Sequence, residues 1–248
     1  MSQPLVKPIP EDLFKYTSFA NGERILTNQT LQFSNPQDFN DPFDYTLENI
    51  YFDFSEPLDA RVQKDLLQLR KDFAGHNLTN ELLAEVYQEV QLDKRNNIAV
   101  TCFSLQPINL LLWAHYANKH TGMCLHFDNT QPEGSKFQEL SIDVQGHMEY
   151  HLKGKFNYCS DKLRGIKYVY LNKSHHWEYE DEFRLITQKG EGCYAFRPKF
   201  LRAVIFGLKT SEADRRRVMT LCLHSGLGHL SFLLAEKDGP ELVYRLLT

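Results

Sequence analysis

The chain has 248 residues, 42% of them hydrophobic and 24% charged, with a formal net charge of −4. That composition is globular rather than disordered, and a chain of this length can build a core without metal or disulfide staples. The weak acidity argues against nucleic-acid binding by bulk charge.

No segment approaches the roughly 18 apolar residues needed to span a bilayer, so no membrane association is expected. Residues 1–10 hold one Lys and three Pro and do not read as a signal peptide. Cys102, Cys124, Cys159, Cys193 and Cys222 are odd in number and form no CxxC, which points to reduced thiols. A cytoplasmic location follows as the expectation.

Residues 1–12 read as an extended tail because Pro4, Pro8 and Pro10 fix the backbone. One α+β domain is expected over 13–248. Leu13 to Ser18 is a strand candidate, Glu23 to Asn28 one or two helical turns, and Leu31 to Phe33 a short strand. Asn35 to Asp44 reads as a loop, since Pro36 and Pro42 forbid a helix through it. Leu58, Val62, Leu66, Leu69 and Phe73 repeat at helical spacing, as do Leu82, Val86 and Val90. This helical pair, over 58–94 with Gly75 to Thr79 between its members, reads as an insertion and a candidate lid.

Asn97 to Ser104 and Gly122 to Asp128 read as buried strands flanking a helix over Asn109 to Lys119. Asn129 to Lys136 reads as a surface loop, Gln138 to Leu152 as one or two strands, and Asp161 to Lys173 as a helix. His176 to Thr187 alternates like a strand. Leu201 to Leu208, Ser211 to Leu223 and Leu230 to Ala235 give strand–helix–strand, with a last strand at Leu242 to Leu247. The fold class is therefore α+β: a mixed, mostly antiparallel sheet with an inserted helical pair and a C-terminal strand–helix–strand unit.

Three segments could carry chemistry. In Phe39-Asn40-Asp41-Pro42-Phe43-Asp44, Phe39 and Phe43 would anchor the loop, with Asn40, Asp41 and Asp44 facing outward or capping backbone amides. In the Trp113-to-Cys124 block, Trp113, Tyr116 and His120 would share one helix face. They could stack on a base, or belong to the core. His115 and His120 lie about 140° apart around a helix and cannot converge on one metal ion while both are helical; no metal site is expected. In His176 to Leu185, alternation would put Trp177, Tyr179, Phe183 and Leu185 on one face, with His176, Glu178, Glu180, Glu182 and Arg184 on the other. Crowded carboxylates need a positive partner, from Arg184, Lys173 or a ligand. A solvated, charged strand edge remains the other reading.

Taken together, Leu13-Phe14-Lys15-Tyr16, the FNDPFD loop, Cys102-Phe103-Ser104, the Trp113–Cys124 block and Trp177-x-Tyr179-Glu180-x-Glu182-Phe183-Arg184 resemble a bacterial family known only as domain of unknown function 2971. The resemblance implies a cytoplasmic bacterial protein, often from mobile or defence-associated gene contexts. The order of elements is also similar to that of ADP-ribosyltransferases, whose split β core brings together a first-strand basic residue, a polar or aromatic strand–helix element and a late Glu-x-Glu.

That likeness implies catalytic roles for Glu182 and Glu180. It implies substrate contacts from Lys15, Tyr16, Ser104 and Tyr116, with NAD as a substrate rather than a bound cofactor. The motifs themselves suggest one cleft, with Trp113, Tyr116 and His120 as one wall, Glu180, Glu182 and Arg184 as the other, and Asn40 and Asp41 of the loop at the rim. The departures are Thr17 where an Arg would be sought, Cys102-Phe103-Ser104 in place of Ser-Thr-Ser, and the lack of a GxGxxG phosphate loop. Two other readings stay open. One is a recognition module for a nucleotide, nucleic acid or protein. The other is a metal-dependent hydrolase or nuclease using Asp41, Asp44, Glu180 and Glu182.

Overall fold

A computed structural model describes residues 7–45, 49–55, 57–75, 79–150 and 154–247. Half of the expected tail and most of the segment joining the helical pair lie outside these residues. The described strands are β1 (Asp12–Thr17), β2 (Thr30–Phe33), β3 (Ile50–Tyr51), β4 (Ala99–Ser104), β5 (Met123–Asp128), β6 (Val144–His147), β7 (Phe156–Asn157), β8 (Glu182–Thr187), β9 (Gly192–Ala195), β10 (Leu201–Phe206), β11 (Ser231–Asp238) and β12 (Glu241–Leu246). The helices are α1 (Phe19–Asn28), α2 (Ala60–Asp72), α3 (Asn80–Asn96), α4 (Leu110–His115), α5 (Glu133–Lys136), α6 (Lys162–Tyr170) and α7 (Glu212–His224). The α+β class and the sheet core are as expected.

One eight-stranded sheet runs β12-β11-β10-β5-β1-β4-β8-β6. β10 and β11 are parallel, joined through α7; the other neighbouring pairs are antiparallel. Its centre is apolar on both faces. Leu13, Leu125, Phe127, Val204 and Phe206 are fully buried with Phe33, Phe137, Phe196 and Phe200. A second core holds Val62, Leu66, Leu83 and Tyr87 of α2 and α3 against Tyr45, Ile50, Tyr150, Tyr158 and Ile186. Its apolar residues at helical spacing are what hold α2 and α3 in place. Asp59 caps α2 by accepting from Arg61 N, and Asp161 caps α6 by accepting from Arg164 N.

The sheet is not evenly knit. β1 pairs with β5 along six successive residues, but with β4 only at Phe14 opposite Ser104. At the far end of β4, Val100 exchanges both backbone hydrogen bonds with Ser34 instead. Between those points the two strands part and leave a seam. The Lys15 side-chain nitrogen spans it, donating to Thr101 Oγ1 (3.1 Å) and to the Cys102 carbonyl (2.9 Å). A backbone carbonyl in a broken ladder must find another donor, and Lys15 supplies it.

Three local expectations are corrected here. His176 to Thr187 is not one strand: residues His175–Glu180 form 3₁₀ turns, Asp181 is left-handed (φ 42°), and the strand starts at Glu182. The helix expected over Asn109 to Lys119 ends at His115, after which Asn118, Lys119 and His120 all have positive φ. The region expected as a loop over Asn129 to Lys136 contains α5, and the Lys136 ammonium is buried on Asn129 Oδ1.

Candidate functional site

At the seam lies a cavity of about 230 Å³. Phe14, Lys15 and Tyr16 of β1 line one side and Cys102, Phe103 and Ser104 of β4 the other. Leu112 and Tyr116 from α4 and its C-cap, Phe39 and Asn40 from the loop, and Lys173, Glu180, Glu182 and Arg184 complete the wall. Parting strands thus do for the site what a loop cluster does elsewhere: they expose backbone and side chains inside a rigid frame.

The charged floor forms one network. Lys173 donates to Glu180 Oε2 (2.6 Å) and Glu182 Oε2 (3.2 Å). Arg184 donates to Glu182 Oε1 (2.7 Å) and holds both oxygens of Asp44, at 2.9 and 2.5 Å. It also donates to the Tyr170 carbonyl (3.1 Å), and its guanidinium lies 5.4 Å from the Phe39 ring centre. The Lys173 ammonium sits 4.8 Å from the Trp177 ring centre. Arg184 is 0% exposed, Glu182 4% and Glu180 5%. Charges this deeply buried persist only when paired and hydrogen-bonded.

The two carboxylates differ. Burial pushes Glu182 up, but Arg184 and Lys173 together outweigh it and hold the carboxyl down at about 2. Burial also pushes Glu180 up; Lys173 pulls it back, the charge of Glu182 opposes that pull, and the net direction is upward. The Tyr116 hydroxyl donates to Glu180 Oε1 at 2.5 Å. Burial and Glu180 both keep the Tyr116 phenol protonated. The two carboxylates are thus shifted in opposite directions, Glu182 toward the ionised form and Glu180 toward the protonated one.

Local geometry explains the convergence. The left-handed Asp181 turns the chain between Glu180 and Glu182, so both side chains reach the same ammonium. Ser104 pins this corner by donating to the Glu180 carbonyl (2.7 Å) and accepting from Gln106 N (3.0 Å). The Tyr150 hydroxyl accepts from Glu182 N (2.7 Å).

The site residues expected from sequence divide into two groups. Lys15, Tyr16, Asn40, Ser104, Tyr116, Glu180, Glu182 and Arg184 all line the cavity. Trp113, His120 and Asp41 do not. Trp113 is fully buried, packs edge-on against Tyr16 and donates from its indole to the Tyr244 hydroxyl (3.2 Å). His120 stacks on the far side of that indole, beyond the helix end. These three rings therefore do not share a face as a continuous helix would require; only Tyr116 turns toward the cavity. Asp41 accepts from Phe43 N (2.9 Å) and closes a turn.

Within the loop, Phe39 packs on the core, Asn40 is exposed and Asp41 bonds a backbone amide as expected, but Phe43 and Asp44 exchange places. Phe43 is 64% exposed, whereas Asp44 is buried against Arg184. The charged strand edge is likewise corrected: β8 is buried along its whole length, between β4 and β6. Glu178 and His176 point to solvent and take no part. Among the described residues, none of α2 or α3 lines the cavity, which gives no support to a lid there. Phe14, Phe39, Cys102, Phe103, Leu112 and Lys173 are the wall residues missing from the expected set. The demand of stacked carboxylates for a cation was the signal for Lys173; Phe14, Phe39, Cys102 and Phe103 lay within the recognised blocks, and Leu112 had no such mark.

Fold and cavity together define an α+β protein with a buried acid–base cluster at a split in its sheet. Residues 112–185 match a family model described as a protein of unknown function (DUF2971). The match takes in Tyr116, Lys173, Glu180, Glu182 and Arg184, and stops short of Lys15, Asp44 and Ser104. No curated protein and no solved structure matches the chain. Among the described residues, no helix is long and apolar enough to cross a membrane.

Proposed function

We propose that the chain is an enzyme acting at the glycosidic carbon of a nucleotide, with NAD as the substrate, in the manner of an ADP-ribosyltransferase or NAD glycohydrolase. The observation that carries this reading is the pair Glu180 and Glu182: two carboxylates of opposite proton affinity facing one cavity with a phenol beside them. Cleavage at a glycosidic carbon passes through an oxocarbenium-like state, which a nearby fixed negative charge stabilises. Glu182, kept ionised by Arg184 and Lys173, supplies that charge through its field. Glu180, the more basic carboxylate, accepts the proton of the attacking water or acceptor group. The catalytic role that the resemblance assigns to Glu182 is thus divided, with proton transfer falling to Glu180.

The C1′–nitrogen bond breaks with its electron pair leaving on nicotinamide, and the new C1′–oxygen bond forms from water or from an acceptor hydroxyl. Tyr116 orients Glu180, and the rings of Phe14, Tyr16 and Phe39 offer apolar faces to a flat leaving group. The parting of β1 from β4 supports the likeness to a split β core. A metal-dependent hydrolase is a weaker reading, because Asp44, Glu180 and Glu182 each already answer to Arg184 or Lys173, which oppose a cation at the same place.

Nicotinamide release from NAD, followed by chromatography, tests the proposal. The wild-type chain is expected to release it, and Glu180→Gln to lose ~10²–10⁴-fold in rate, the usual contribution of a general acid or base. Saturable nucleotide binding without release would replace this reading with a recognition module.

A further inference from the structure

Two lysines face the same cavity in opposite environments. Lys173 is clamped by Glu180 and Glu182, which more than offset its burial and keep it protonated. Lys15 is different. Its nitrogen has two hydrogen-bond acceptors, Thr101 Oγ1 and the Cys102 carbonyl, and both are neutral. Among the described residues no carboxylate forms an ion pair with it. Phe103 lies beneath it with its ring centre 5.3 Å away. The Cys102 thiol and Glu182 act on its charge, and Tyr16, Tyr116, Lys173, Glu180 and Arg184 also line the cavity. Burial lowers the Lys15 pKa, and the upward pull of Cys102 and Glu182 does not cancel it. Two acceptors match the two N–H bonds of a neutral amine, which leaves the lone pair for the cavity.

We propose that Lys15 is a nucleophilic amine that captures a small aldehyde or ketone in this cavity as an imine. A desolvated lysine in an apolar wall is the usual form of a Schiff-base nucleophile. The nitrogen lone pair adds to the carbonyl carbon, and the carbonyl oxygen becomes a hydroxyl. Both amine protons then leave with that oxygen as one water molecule, and the C=N bond forms. No oxidant, reductant or cofactor is consumed. Glu180 is the group in the cavity suited to pass the proton to the departing hydroxyl. The cavity's volume lies below the range of drug-sized sites, so it encloses a small carbonyl compound whole but only the nicotinamide–ribose end of a dinucleotide. The open-chain aldehyde of a pentose fits this class. It is also the form in which ribose freed at C1′ would present a carbonyl, so the inference shares the proposed cavity without depending on NAD turnover.

The test is reductive trapping of the full chain with glycolaldehyde or ribose 5-phosphate and cyanoborohydride at pH 7, followed by peptide mass mapping. The expected result is an adduct at Lys15 well above that at the exposed lysines, with none at Lys173. Its labelling rate should reach half-maximum at a lower pH than that of the surface lysines. Lys15→Arg, which keeps a long donor in the seam, removes the adduct while the circular dichroism spectrum stays native. Labelling spread evenly over surface lysines, or a Lys15 pH profile that coincides with theirs, would overturn the proposal. Trapping at Lys15 without nicotinamide release would refute only the NAD reading. Release without trapping would refute only this one.

Discussion

Arg184→Met isolates the charge network, because the change removes a cation while nearly preserving apolar volume. The side chain is fully buried and satisfies three groups: Asp44 through two hydrogen bonds, Glu182 and the Tyr170 carbonyl. Without it, Asp44 loses its ion-pair partner and Glu182 keeps only Lys173. Breaking a buried ion pair by removing one member costs about 3–5 kcal/mol. For a domain of this size each kcal/mol moves the melting temperature by roughly 2–4 °C, so the expected drop is about 6–20 °C. Thermal melts by circular dichroism at pH 7 measure it.

The pH dependence gives a second reading of the same variant. The folded-state pKa of Glu182, about 2, lies below the ordinary value of 4.5. Its contribution to stability is therefore present above pH 4.5 and is lost as the pH falls from 4.5 toward 2. In Arg184→Met the slope over this window should largely flatten. A melting temperature within about 2 °C of wild type, with the acid slope intact, would refute the claim that Arg184 holds the floor of the cavity together.

Asp44→Asn combined with Arg184→Met should be less destabilising than the sum of the two single changes, by roughly 0.5–3 kcal/mol, because the residues are in direct contact; urea melts of the four proteins give the coupling. Tyr116→Phe should cost only about 1 kcal/mol of stability. The lost hydrogen bond helps keep Glu180 ionised, so the lower limb of any pH–rate profile should move to higher pH. Gly122→Ala should destabilise by about 1–3 kcal/mol or more, since a Cβ there would lie 2.2 Å from the Thr17 carbonyl oxygen and 3.0 Å from that of Ala117; a thermal melt checks this. Glu178→Gln, on an exposed side chain outside the network, should change stability by less than about 0.5 kcal/mol and leave nicotinamide release unaltered.

Where local pattern decided structure, the sequence was readable. Runs such as Ala99–Ser104 and Met123–Asp128 are apolar on both faces, and they became interior strands. The helical repeats of Val62 and Leu66 set the inward face of α2. Ser211, whose hydroxyl accepts from Asp214 N, marks the start of α7. The period-two pattern of His176 to Arg184 misled because alternation of charge and ring cannot reveal a chain reversal. The one local hint was Asp181, a residue type that tolerates left-handed backbone.

The FNDPFD loop misled for a different reason. The choice of Asp44 over Phe43 as the buried residue is made by Arg184, 140 positions away, and no turn rule contains that partner. Lys15 is similar. Its role in the seam depends on β1 and β4 parting, which follows from Ser34 occupying Val100, a pairing between segments far apart in sequence. Trp113 and His120 looked like a binding wall because helical spacing aligned them with Tyr116. The turn beginning after His115 separated them, and Trp113 became core.

The most direct measurement of the central claim is the structure of the chain with NAD or ADP-ribose bound, determined by crystallography. Density is expected in the seam cavity, with the ribose that bears the reacting C1′ within hydrogen-bond reach of Glu180 and its ring between Tyr116 and Lys15. A nucleotide bound elsewhere on the fold, with that cavity unchanged at saturating concentration, would contradict it.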